Sequence, residues 1–185
     1  LGKEVLAFIL VPAGHAGANK ELLHNLELPY QAVTSTDLYL THYLNDSAND
    51  PVMNRIRAQK LRNSEEDKVK IFFVPSYLNG DDGVFNMPYY DLLVGMDLTA
   101  FPSYYEPWGY TPLESLAFKV PTITTTLAGF GLWVKEHYNM NHPGIEVIHR
   151  EDGDASNVAT AIAEWVKNYT QVGETEMQKD RDNAK

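Results

Sequence analysis

Two glutamates in one dense segment have the residue type and the spacing for binding sugars. The segment covers residues 97–131 and combines two short apolar runs, a group of aromatic residues and prolines, and the carboxylates of Glu106 and Glu114. A carboxylate in a loop can accept hydrogen bonds from hexose hydroxyls, and one inside a helix can accept a pair of ribose hydroxyls. Two acceptors eight residues apart match the two sugars of a nucleoside diphosphate sugar.

The stretch between these glutamates predicts an anion site at the start of a helix. Pro102 and Pro107 lack a backbone donor and Gly109 frees the backbone, so a strand cannot continue through them. Thr111 and Pro112 then occupy cap and first-turn positions of a helix. The first N–H groups of a helix have no partner within it, and with the helix dipole they can hold a pyrophosphate.

The residue types alone leave other roles open for the two glutamates and for the aromatic residues of this segment. The two glutamates could be the paired carboxylates of a glycosidase, which requires a separation of about 5–10 Å, or they could have a structural role. For Phe101 and Tyr104 we expect packing in the core beneath the loop rather than ligand contact.

The elements that must position this segment alternate between apolar runs and helical patterns. The apolar runs, typical of strands buried in a parallel sheet, cover residues 5–11, 69–74, 98–101, 120–124 and 145–148. The helical patterns cover residues 18–28, 51–62, 88–94, 111–118, 129–138 and 158–169. Gly14 and Gly17 are predicted in turns, and residues 28–49 as loop and short helix. The alternation predicts an α/β fold of βαβ units, in which ligands bind beyond the carboxyl ends of the strands.

Length, charge and composition exclude several classes of protein. The 185 residues fit one domain, which we place at residues 1–172, followed by a flexible polar tail at 173–185. A net charge of −10 without a basic cluster argues against nucleic acid. The chain has no cysteine, no histidine spacing typical of a metal site, and no apolar stretch long enough for a membrane. We therefore expect a cytoplasmic protein with no bound metal.

The sequence of this segment resembles that of a known protein family. Residues 106–112 read EPWGYTP, with FPSYY before them, Glu114 two residues after them and LAGFG further on. This is similar to the nucleotide-binding segment of the glycogen synthases of the animal and fungal type. The resemblance extends to VKIFFVPSYLN at 69–79, THYLNDSANDPVMNRIRAQKLRN at 41–63 and VLAFILVPA at 5–13.

The resemblance implies a retaining, metal-independent glucosyl transfer by an enzyme of the two-domain GT-B fold, without a cofactor. This chain would be its C-terminal, Rossmann-like donor-binding domain, with a parallel sheet flanked by helices. The donor would be UDP-glucose in preference to ADP-glucose, and the acceptor an α-glucan bound through an N-terminal domain. The implied roles are Glu106 at the donor hexose as the catalytic residue, Glu114 at the ribose, Tyr89 stacked on the base, and Trp108, Gly109, Tyr110 and Thr111 against the hexose and diphosphate.

The chain also departs from the family pattern. The arginine-rich regulatory helix expected after Ile148 is replaced by a helix whose one basic residue is Lys167. This argues against sugar-phosphate activation and favours a bacterial homologue. A homo-oligomer is one possibility for the full-length enzyme. Because the phosphate-neutralising Arg/Lys groups of the family are expected outside this chain, we expect weak donor binding and no turnover by the chain alone. The alternatives are another retaining GT-B transferase with a different acceptor and a non-catalytic nucleotide-sugar-binding module.

Overall fold

A computed structural model of the chain describes residues 4–28, 38–138 and 144–183, which divide into two compact units, Leu1–Tyr89 and Tyr90–Lys185. The first unit contains β1 (Val5–Leu10), β2 (His15–Ala18), α1 (Lys20–Glu27), β3 (His42–Leu44), α2 (Pro51–Ala58) and β4 (Val69–Val74), and ends at the first residue of α3 (Tyr89–Val94). The second contains β5 (Thr99–Ala100), α4 (Tyr110–Ala117), β6 (Thr122–Thr125), α5 (Gly129–His137), β7 (Ile145–Ile148), α6 (Ala155–Gln171) and α7 (Glu174–Asn183).

The first unit is built on a parallel pair of strands. β1 and β4 pair in register from Val5 with Val69 to Leu10 with Val74. Leu40 pairs with Phe73, a fully buried residue of β4, and the core around it is completed by Tyr39, Met53 and Ile56. The parallel pairing confirms the prediction. The prediction that the first strand is buried is wrong, because Leu6 is 63% exposed and the other residues of β1 are only partly buried.

A second, antiparallel pair in this unit was missed by the sequence analysis. β2 pairs with β3, with an irregularity between His15 and Ala18. The turn predicted at Gly17 is therefore part of a strand, since the short segment His-Ala-Gly-Ala lacks the apolar alternation by which a strand is recognised. The buried Asn19 follows, and its Oδ1 accepts hydrogen bonds from the N–H groups of Glu21 and Leu22 at the start of α1. Of the loop and short helix predicted at 28–49, residues 29–37 lie outside the described residues.

The second unit is a three-stranded parallel sheet with helices on both faces. The strand order is β5-β6-β7, and all four residues of the central strand β6 are buried. Ile148 packs with Ile123 and with Val158 of α6, whereas Ile145 packs with Phe130 and Val134 of α5. Since Ile145 and Ile148 point to opposite faces of β7, the two clusters lie on opposite sides of the sheet. The predicted α/β fold with parallel strands flanked by helices is confirmed.

Most of the segment predicted as a flexible tail is helical. Residues 174–183 form α7, in which Arg181 donates a hydrogen bond to the carbonyl of Met96 and Asp182 lies 3.9 Å from Lys119. The sequence of α7 is polar all round and gives no amphipathic signal. Its contacts are made by individual charged side chains, and these leave no periodicity in the sequence.

None of the helices within the described residues is both long enough and apolar enough to span a bilayer.

Candidate functional site

The loops that follow the three parallel strands of the second unit meet at one edge of the sheet. The N–H of Arg150, after β7, donates to Oγ1 of Thr126, after β6, at 2.9 Å. The guanidinium of Arg150 donates to the carbonyls of Pro102 and Ser103, after β5, at 2.7 and 3.2 Å. It also lies 4.9 Å from the ring centroid of Tyr104. One arginine therefore links the three loops at the carboxyl edge, where ligands bind in α/β sheets.

This contact corrects the prediction for Tyr104. Its side chain is 59% exposed and lies beneath the guanidinium of Arg150 instead of in the core. Phe101 is partly buried. An aromatic type alone does not distinguish packing against apolar neighbours from stacking on a cation.

Glu106 is fixed by its backbone against the beginning of α5. Its N–H donates to the carbonyl of Leu127 at 3.0 Å, and its carbonyl accepts from Gly129 at 3.2 Å. The next contact, from the N–H of Phe130 to the carbonyl of Trp108, is 2.6 Å. A Cβ atom at Gly129 would lie 2.2 Å from the carbonyl oxygen of Pro107. Only glycine permits so close an approach, so Gly129 determines where Glu106 lies.

The carboxylate of Glu106 lies beside the N-terminus of α4. Its Oε2 accepts a hydrogen bond from Oγ of Ser103 at 3.1 Å. The same Oε2 would be 3.4 Å from a Cβ atom at Gly109, the N-cap residue of α4. Gly109 has φ +99°, a left-handed conformation that disfavours other residues. A partly buried carboxylate therefore lies next to the N-terminus of a helix whose N-cap residue is a glycine.

The N-terminus of α4 differs from that of α5 in its hydrogen bonding. At α5 the N–H groups of Gly129 and Phe130 donate to the carbonyls of Glu106 and Trp108, in the loop before α4. At α4 no side chain caps the helix, and Tyr110, its first residue, is 67% exposed. The helix begins at Tyr110 with Gly109 as N-cap, so the prediction that Thr111 is the cap is wrong by two residues; Thr111 is the second helical residue. Backbone donors and a helix dipole at an uncapped terminus favour an anion there.

Glu114 lies one turn into the same helix. Its Oε1 accepts a hydrogen bond from the hydroxyl of Tyr90 in α3 at 3.1 Å. The ring of Tyr90 stacks on Phe118 with 5.1 Å between the ring centroids. The hydrogen bond to the Glu114 carboxylate raises the pKa of the Tyr90 phenol. Glu106 and Glu114 thus flank the first turn of α4, one before it and one after it.

Two of the predicted site residues remain, Trp108 and Tyr89. The ring of Trp108 packs against aromatic residues, 5.8 Å from Phe130 and 6.4 Å from Trp133 between centroids, and the contact of its backbone with a ligand stays a prediction. Tyr89 belongs to the first unit, where its N–H donates to the carbonyl of Leu78 at 2.9 Å. Stacking of Tyr89 on a base stays a prediction. Within the described ranges no three acidic or histidine side chains are grouped as metal ligands, and His142 lies outside those ranges.

Two residues of this site were not identified from the sequence as part of it. Arg150 directly follows β7, so the rule that ligands and their supports gather at the carboxyl ends of strands could have identified it. Tyr90 carries no comparable signal, because it is 24 residues from Glu114 in the chain and belongs to a different helix, α3.

The chain is similar in sequence to several known proteins. A family model described as glycogen synthase matches residues 19–184, which is more than half of the chain. Glycogen [starch] synthase isoform 2 of Saccharomyces cerevisiae is 38% identical over 135 residues, covering 69% of this chain and 19% of that protein. The Neurospora crassa protein is 37% identical over 133 residues, covering 71% and 19%. The liver protein of Mus musculus is 42% identical over 97 residues, covering 52% and 14%. The chain spans between 14% and 19% of the length of these curated relatives.

Proposed function

The chain belongs to the glycogen synthase family, and from that premise we propose that it is the donor-binding domain of a retaining glucosyltransferase. It would hold a nucleoside diphosphate glucose while glucose passes to the non-reducing end of an α-1,4-glucan. The observation that carries the proposal is the uncapped start of α4, with Glu106 on one side and Glu114 on the other. The donor has a matching order of groups, with its diphosphate between the hexose and the ribose.

Each part of the donor has a counterpart in the segment. The N–H groups of Gly109, Tyr110 and Thr111 would bind the diphosphate, since no side chain caps that helix start. Glu106 would accept hydrogen bonds from the hexose, and Glu114 would accept them from the ribose. Stacking of Tyr89 on the base rests on the family resemblance alone.

The chemistry that this chain's residues would perform is electrostatic. As the bond from the hexose to the diphosphate breaks, negative charge grows on the diphosphate. Preorganised N–H donors at the start of α4 stabilise that charge without further reorganisation. Glu106 is held by Ser103 and by the backbone of residues 127–129, so it can orient the hexose and stabilise positive charge at the reacting carbon. The acceptor hydroxyl would attack the face that the diphosphate leaves, which gives retention.

The finer assignments are part of the same proposal. We favour UDP-glucose over ADP-glucose as donor, a bacterial homologue, a cytoplasmic location and a transfer without a metal ion. The basis for a bacterial type is α6, whose 17 residues contain one basic residue, Lys167. A helix of this composition offers no cluster for sugar-phosphate regulation.

The test is a pair of charge-removing variants in the intact protein. Glu106→Gln is expected to lower kcat by about 100-fold or more with little change in KM, because its interaction grows in the transition state. Glu114→Gln is expected to raise KM for the donor by about 10-fold with a smaller effect on kcat. Glu136→Gln, on the exposed side of α5, is the matched control. Wild-type activity in Glu106→Gln, measured as glucose incorporation into glycogen, would contradict the assignment.

A further inference from the structure

Tyr90 is held against α4 at both ends of its side chain. Its hydroxyl donates to Oε1 of Glu114 at 3.1 Å, and its ring stacks on Phe118 at 5.1 Å with 21° between the planes. Glu114 and Phe118 are four residues apart and therefore lie on the same face of the helix. The side chain of Tyr90 spans one turn of α4, so the direction of its hydrogen bond to Glu114 is fixed by the stacked ring.

This contact orders a carboxylate that would otherwise be free to rotate. Glu114 is only partly buried, and the hydroxyl of Tyr90 donates a side-chain hydrogen bond to its carboxylate. A side chain that becomes ordered only when its ligand binds reduces the affinity by the rotamer freedom that it loses. The bond from Tyr90 uses one lone pair of Oε1. Oε2 and the second lone pair of Oε1 remain for ligand hydroxyls.

The protonation of Tyr90 favours this arrangement at neutral pH. The hydrogen bond to Glu114 and its negative charge raise the pKa of the phenol. The hydroxyl therefore remains a donor, and a donor is what a carboxylate requires of its neighbour.

We propose that Tyr90 is a positioning residue that orients the carboxylate of Glu114 toward the ribose hydroxyls of the donor nucleotide. The inference rests on the proposed function, because it takes a ribose diol to be the ligand of Glu114. Tyr90 acts through Glu114, so its effect is confined to the ribose. A nucleotide without ribose hydroxyls has nothing for an oriented Glu114 to bind and is insensitive to Tyr90.

The experiment is isothermal titration of the intact protein with UDP and with ADP, each compared with its 2′,3′-dideoxy form. The variants are Tyr90→Phe, Glu114→Gln and the double variant. Tyr43→Phe is the control, because Tyr43 and Tyr90 are both 43% exposed and Tyr43 has no part in the proposed site. Tyr90→Phe removes one exposed hydroxyl and keeps the stacked ring, so the fold is retained.

We expect Tyr90→Phe to weaken binding of the ribonucleotide by about 3- to 10-fold, the factor for ordering one long side chain. Binding of the dideoxy form changes by less than about 2-fold. The double variant binds no more weakly than Glu114→Gln, because both changes remove the same interaction. Tyr43→Phe binds as the wild type does.

Other outcomes separate the failure of this inference from that of the proposed function. If the wild type binds neither ribonucleotide, or Glu114→Gln leaves the preference for ribose unchanged, the proposed function is wrong and the inference falls with it. If Glu114→Gln removes that preference but Tyr90→Phe keeps it, the inference alone is wrong. Equal weakening of ribo and dideoxy forms by Tyr90→Phe would show a general structural role and would also overturn the inference.

Discussion

Replacing Gly129 by alanine tests the close approach that places Glu106. The new Cβ atom would lie 2.2 Å from the carbonyl oxygen of Pro107 and 3.2 Å from Cα of Trp108. Both are backbone atoms that no side-chain rotation can move away. The segment before α4 and the start of α5 must therefore separate by about 1 Å to reach ordinary contact distance.

The cost follows from the contacts that this separation breaks. Two hydrogen bonds join the segments, from Gly129 to Glu106 at 3.2 Å and from Phe130 to Trp108 at 2.6 Å, and each contributes about 0.5–1.5 kcal/mol. Inserting a methyl group into a packed contact adds about 1–3 kcal/mol. Alanine recovers at most about 1 kcal/mol by restricting the unfolded chain. We expect a net loss of about 3 kcal/mol, which lowers Tm by about 6–12 °C for a chain of this size.

The assay is urea unfolding of the wild type and two glycine variants. Gly173→Ala is the matched control, because a Cβ atom there meets nothing within 4 Å. It should change the free energy of unfolding by less than about 1 kcal/mol, in the stabilising direction if at all. If Gly129→Ala unfolds within about 1 kcal/mol of Gly173→Ala, the close approach does not determine the position of Glu106 and the reasoning is wrong.

Two further variants test the support of the site and the electrostatics of the sheet. Arg150→Ala removes the bonds to Pro102 and Ser103 and the stacking on Tyr104, so it should cost about 2 kcal/mol and speed amide exchange in residues 103–106. The exposed-arginine control Arg55→Ala should cost less than about 0.5 kcal/mol, and an equal loss in both would contradict the role. Burial raises the pKa of Glu146, so the folded state binds this proton more tightly than the unfolded state and stability falls as pH rises from the ordinary pKa of Glu to the raised one. Glu146→Gln should therefore be more stable relative to the wild type at about pH 7 than at about pH 4; urea midpoints with no such pH dependence would contradict the argument.

Local sequence features correctly predicted most elements of the second unit. Apolar runs and proline positions predicted β5, β6 and β7 to within a few residues, and the pattern at Gly129 predicted α5. These signals are local, because strand burial and helix periodicity depend on residues a few positions apart. The polar helix α7 and the irregular strand β2 lack such periodicity, and the sequence analysis missed both.

The start of α4 shows how far the sequence defined the site. The residue types around Gly109 predicted a helix beginning with free N–H groups between two glutamates, but the cap was placed at Thr111 rather than Gly109. The reason is that the left-handed conformation at Gly109 depends on the path that the loop before α4 takes beside α5. That return path depends on contacts with residues 127–130, which are distant from Gly109 in the chain.

The sequence by itself determined the alternation of strands and helices, the position of the glutamate segment at a carboxyl edge, and the family of the chain. Only the tertiary structure decided which side chains hold the two glutamates. Arg150 reaches Pro102 across 48 residues and Tyr90 reaches Glu114 across 24. Such contacts are set by strand order and helix packing, because a side chain meets a distant partner only when the elements between them fix its direction and distance.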